Sequence, residues 1–132
     1  MTLLQLESRP LKNGGINPKN YPWKDELIRL LKEKDEVVEL NKVLPLDEVV
    51  ELIKKADKII CVDSFLQHLC WYLEKPAIVL FGQSDPNIFG HRGNNNLLKD
   101  RKYLRSKQFW LWEQAERNDE AFLSPQEVIK LI

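Results

Sequence analysis

Cysteine, histidine and excess charge are all scarce in this 132-residue chain. Cys61 and Cys70 are the only cysteines, with no Cys-x-x-Cys pair and no histidine cluster beside them. That pattern provides neither a zinc site nor a disulfide framework, and it suits a reducing cytoplasm. Twenty Lys and Arg balance twenty Asp and Glu, so no broad field exists to hold nucleic acid or to press the chain against an acidic membrane. Apolar runs are short: none approaches the roughly 18 residues that cross a bilayer, and Met1 to Gln5 lacks the basic start of a secretion signal. The expectation is a soluble, cytoplasmic protein without a transmembrane segment. Repeats and low-complexity tracts are missing too, and 43% hydrophobic residues suffice to fill one core, so residues 1–132 are expected to form one domain.

Strand and helix patterns alternate along the chain. Thr2 to Leu6 is a short β-type run, followed by a loop rich in breakers from Pro10 to Pro22. Between Trp23 and Lys34, Leu27, Ile28, Leu30 and Leu31 share one helical face, with acidic residues early and lysines late as the helix dipole favours. Glu36 to Leu40 alternates like a short strand, and Pro45 opens a second amphipathic helix carrying Leu46, Val49, Val50, Leu52 and Ile53. Lys58 to Val62 and Ala77 to Phe81 are apolar runs too short for helices, so both read as strands buried on two faces, joined by a helix that ends near Glu74. Gln83 to Asn96 reads as irregular and as a loop that orders around a ligand or neighbour; helix is expected again between Lys107 and Arg117. Ser124, Pro125 and Glu127 spell a capping box before a terminal helix. The pattern predicts an α/β fold: a small, mostly parallel, Rossmann-like three-layer sheet with helices on both faces.

Ligands of such sheets bind beyond the carboxyl ends of the strands, where helix N-termini present free N–H groups to anions. Two segments fall there. In the first, Asp63, Ser64 and His68 are the polar side chains, and the backbone amides of Phe65 and Leu66 stand ready for a phosphate. An equally simple account has Asp63 or Ser64 only capping the helix and His68 satisfied in the core. In the second, Gly82, Ser84, Asp85 and Pro86 either border the same pocket or merely turn the chain. Lys19, Tyr21 and Trp23 offer a cation and ring faces, or a hydrophobic staple leading into the helix. Trp71, Tyr72, Trp110 and Trp112 are assigned to core or interface, and Asp100-Arg101-Lys102 to a solvated surface.

Together these segments resemble the C-terminal domain of glycosyltransferase family 9, the ADP-heptose heptosyltransferases of lipopolysaccharide synthesis. The resemblance runs through Lys19-Asn20-Tyr21-Pro22, the helix Leu46 to Asp57, and the turn Asp63-Ser64-Phe65-Leu66-Gln67-His68-Leu69. It continues through Glu74-Lys75-Pro76-Ala77-Ile78-Val79-Leu80-Phe81-Gly82-Gln83-Ser84-Asp85-Pro86, where the family reads Gly-Lys-Pro-x-Val-x-Leu-Phe-Gly-x-Thr-Asp-Pro. Phe65 stands where the family has Gly, and the stretch before Leu46 is shorter than the family's strand and helix against the nucleoside.

What the resemblance implies is one half of a GT-B fold that binds a nucleotide-diphosphate sugar, an ADP-sugar by family habit. Ser64 and the amides after it would face the diphosphate. Asp63 and His68 would lie near the phosphates or sugar, and Lys19 would neutralise charge. No cofactor beyond that substrate is implied, and no catalytic residue is assigned. The family's acceptor half, with its catalytic base, is expected on a separate N-terminal domain. The competing expectation is a non-catalytic binding or interaction module, homodimeric through the surface that once met that half. An enzyme acting alone through Asp63 or His68 would need a second catalytic group, and the sequence offers none.

Overall fold

A computed structural model describes all 132 residues. Five strands form one all-parallel sheet in the order β2-β1-β3-β4-β5, where β1 is Thr2–Gln5, β2 Val37–Glu39, β3 Lys58–Val62, β4 Ile78–Phe81 and β5 Asn95–Leu98. The helices are α1 (Lys24–Lys32), α2 (Leu46–Lys55), α3 (Phe65–Tyr72), α4 (Pro86–Phe89) and α5 (Pro125–Leu131).

Successive strand side chains point to opposite faces, and the sequence satisfies both. Leu4, Ile60, Val62 and Leu80 meet Leu27 and Leu31 of α1 and Val128 of α5 on one side. Leu3, Ile59, Cys61, Val79 and Phe81 meet Ile53 of α2 and Leu66 and Cys70 of α3 on the other. This is the expected three-layer Rossmann-like architecture. Leu27 and Leu31 are both buried, and burying such a side chain stabilises the fold by about 1.5–3 kcal/mol. The capping box that opens α5 is formed in both directions, Ser124 Oγ accepting from Glu127 N and Glu127 Oε1 from Ser124 N.

Two segments differ from the sequence-based expectation. The stretch Gln83 to Asn96 is not irregular: Asp85 caps α4, and from Asn95 the chain runs as β5 against β4. Asn95 and Asn96 carry no β-type apolar signal, and it is pairing with β4 that makes them a strand. No α-helix forms between Lys107 and Arg117, where a turn closed by Trp110 N on Lys107 O is followed by a 3-10 turn at Trp112–Gln114. At the end of α3, Glu74 takes a left-handed conformation with φ 57°, and its own amide bonds Trp71 O.

Candidate functional site

The strand order fixes where a site lies. From β1 the chain crosses to β2 on one side, whereas from β3 it crosses to β4 on the other, so the loops leaving β1 and β3 diverge and leave a crevice between them. A hollow of about 330 Å³ occupies that crevice. Gln5, Ser8 and Arg9 line it from the end of β1, and Asp63, Ser64, Phe65 and His68 line it from the end of β3. Glu7, whose carboxylate pairs with Lys24, and Lys19, Phe89 and Trp112 complete the wall.

The β3 side is set by the start of α3. Ser64 occupies the N-cap position with extended backbone but makes no cap; its hydroxyl donates instead to Gln5 Oε1 at 2.7 Å, tying the tips of β3 and β1 together. The amides of Phe65 and Leu66 therefore find no acceptor within the chain, and they carry the positive end of the helix dipole. Asp63 does not cap either: its Oδ1 accepts from the buried Gln67 Nε2 at 2.5 Å. Phe65 is 59% exposed and lines the hollow, while the Leu66 side chain belongs to the core.

His68, one turn on, is exposed at the hollow's edge, which rules out a satisfied core histidine. Its Nδ1 lies 2.7 Å from His91 Nε2. Burial of part of the ring and the neighbouring His91 hold its imidazole below the ordinary histidine value, against the pull of Asp63.

Two cations come from the loop after β1. Asn17 accepts from Lys19 N at 3.0 Å and donates to Arg9 O at 3.1 Å, Asn20 Oδ1 accepts from Ser8 N, and Tyr21 N returns to Leu6 O. The breaker residues thus fold the loop back so that Arg9 and Lys19 reach one hollow, and neither is ion-paired. Trp112 closes the far side, held by the Arg105 guanidinium 3.6 Å from its ring centroid. The free Phe65 amide, two unpaired cations and a histidine suit an anion with several oxygens, while the two carboxylates of the lining are engaged elsewhere, Glu7 with Lys24 and Asp63 with Gln67. No group of three or more His, Cys, Asp or Glu side chains is placed to hold a metal ion.

The turn after β4 lies outside this lining. Gly82 faces the Phe122 ring, Ser84 is buried, and Asp85 caps α4 while binding Arg101 through both oxygens at 3.0 and 2.8 Å. Arg101, assigned above to a solvated surface, is therefore engaged in holding that turn. Trp71, Tyr72 and Trp110, assigned to core or interface, stand 54%, 77% and 52% exposed and so lie outside the core. Arg9, Phe89 and Trp112 were not singled out for the site by the sequence; Arg9 alone carried a signal, as a cation just beyond a strand end.

The fold and this crevice define a Rossmann-like α/β domain with a hollow at the switch point between β1 and β3. The family model described as glycosyltransferase family 9 (heptosyltransferase) matches residues 17–120, and the chain belongs to that family. It is 30% identical over 88 residues to lipopolysaccharide heptosyltransferase 1 of Salmonella typhimurium strain LT2, covering 64% of this chain and 28% of that protein. It is also 30% identical over 91 residues to the Escherichia coli K12 protein of the same name, covering 67% and 28%. The chain thus spans little more than a quarter of the length of the curated relatives it matches. No solved structure matches with significance. No helix is long and apolar enough to cross a membrane.

Proposed function

We propose that the hollow seats the diphosphate of a nucleotide-diphosphate sugar, making this domain the donor-binding half of a GT-B heptosyltransferase. The observation that carries the reading is the convergence of Phe65, whose amide opens α3 without an internal acceptor, with the unpaired Arg9 and Lys19 on one crevice. A diphosphate offers enough oxygens to use them all, and charge-assisted bonds of this type are the stronger hydrogen bonds in proteins. An ADP-sugar is the substrate that membership in a heptosyltransferase family favours. Glycosyl transfer would need an acceptor half with the catalytic base, in the same longer polypeptide or in a separate chain, because chemistry follows closure of both halves on their substrates. The protein would work in the cytoplasm, where the buried free thiols of Cys61 and Cys70 stay reduced.

A second reading has its own observation. Phe65, Ile88, Phe109, Trp110 and Leu111 are exposed apolar side chains, the kind of surface an interaction module buries against a copy of itself. Calorimetric titration with ADP, UDP, GDP and their sugars separates the two. Donor binding predicts micromolar affinity, lost in Ser64→Tyr and weakened about 10- to 100-fold in Lys19→Ala, the loss expected of one charge-assisted contact. No binding by any of them, together with a stable dimer in solution, supports the module instead.

A further inference from the structure

His91 reaches His68 from the connection between α4 and β5, and its surroundings hold it there. Its ring stacks on Trp71 with centroids 4.6 Å apart and planes 11° from parallel, and meets the His68 ring edge-on at 4.9 Å and 88°. Trp71 lies three residues beyond His68 on α3, so one face of one helix presents both rings that grip His91. The backbone is fixed as well, His91 O accepting from Asn94 N at 3.0 Å and from Asn96 Nδ2 at 3.1 Å. His68 thus has Nδ1 committed at 2.7 Å, and Nε2 is the nitrogen left for a ligand in the hollow that His68 lines.

We propose that His91 is a positioning residue that keeps His68 an N–H donor toward an anion in the hollow. The inference rests on the donor-diphosphate reading above. An imidazole partner can take either side of the bond. When His68 is neutral, an acceptor-only anion at Nε2 selects the arrangement in which His91 donates its Nε2–H to the His68 Nδ1 lone pair and the His68 proton stays on Nε2, facing the anion. When His68 is protonated, its Nδ1–H donates to the unprotonated His91 Nε2, and Nε2–H still faces the anion. Any acceptor-only partner would serve the second state alone. Trp71 supplies the flat surface that holds the His91 ring in line for both.

The test compares wild type, His91→Phe and His91→Gln in the full chain, using pyrophosphate and ADP as probes. Phenylalanine keeps the stacking on Trp71 and removes the nitrogen; glutamine restores a group that donates or accepts. Long-range 1H–15N spectra read the tautomer of His68, and calorimetry reads affinity. Wild type should show the Nε2–H tautomer with pyrophosphate bound. His91→Phe should lose that signature and bind about 3- to 10-fold more weakly, the size of one ordinary hydrogen bond, with His91→Gln recovering most of both. Equal binding by His91→Phe with an unchanged His68 spectrum overturns the positioning role and leaves the donor site standing. Failure of wild type to bind either probe overturns both.

Discussion

Gly82→Ala tests whether the turn after β4 is governed by packing. An added Cβ would lie 2.6 Å from two atoms of the Phe122 ring and 3.0 Å from a third. A ring tip in a loose setting would swing aside. Phe122 is buried, packed edge-on against Tyr21 at 5.9 Å, and Tyr21 is itself tethered through its hydroxyl to Leu123 O at 2.8 Å. The ring has nowhere to go without moving the aromatic pair that closes the loop carrying Arg9 and Lys19. Overpacking of this kind costs about 1–3 kcal/mol. Gly82 does not have a left-handed φ, so alanine fits its backbone and stiffens the unfolded chain, recovering about 0.4–1 kcal/mol. The net expectation is a loss of about 1–2 kcal/mol, read as a lower urea midpoint at unchanged slope. Combining it with Phe122→Leu should cost at least about 0.5 kcal/mol less than the sum of the two single losses, since the clash and the ring vanish together. Stability equal to or above wild type, with pyrophosphate affinity lost instead, would refute the packing account and make Gly82 a ligand contact.

Glu74→Gly should raise the urea midpoint. A non-glycine residue in the left-handed region costs about 1–2 kcal/mol, part of which glycine returns to the unfolded chain, so a gain of about 0.5–1 kcal/mol is expected, and no gain would show the Glu74 backbone to be unstrained. Asp85→Asn keeps an oxygen for the Asn87 amide but removes the ion pair with Arg101. The Arg101 guanidinium beside Asp85 holds its carboxyl below the ordinary carboxylate value, so the pair stabilises the fold above the unfolded pKa, about 4, and the benefit disappears as pH falls through the folded value. Wild type should therefore exceed Asp85→Asn in thermal midpoint at pH 7, with the difference shrinking as pH falls below the ordinary carboxylate value; a difference that stays constant on acidification would show that the charge is not what matters.

Much of the fold was legible because its signals are local. The apolar face of α1, the uninterrupted runs Ile59 to Val62 and Ile78 to Phe81, and the Ser124 to Glu127 capping box each name their element within one or two turns of chain. The amides after Ser64 were legible for the same reason, as a strand handing over to a helix. What stayed hidden depends on distant partners. β5 exists through pairing with β4, not through its own asparagines. Arg101 reads as surface until Asp85 is set beside it. His91 looked like one residue of an irregular stretch until α4 and β5 carried it onto Trp71.

By itself, the sequence determined an alternating α/β chain with buried parallel strands, and it pointed to the peptide groups that open α3, because periodicity, capping and turn chemistry act between near neighbours. Only the tertiary structure decided that β1 lies between β2 and β3. That order puts the switch point where Gln5 meets Ser64, and so selects which loops share a hollow. Arg9, Lys19, His68 and Trp112 are brought together by strand pairing and long-range burial, forces that no window along the chain contains.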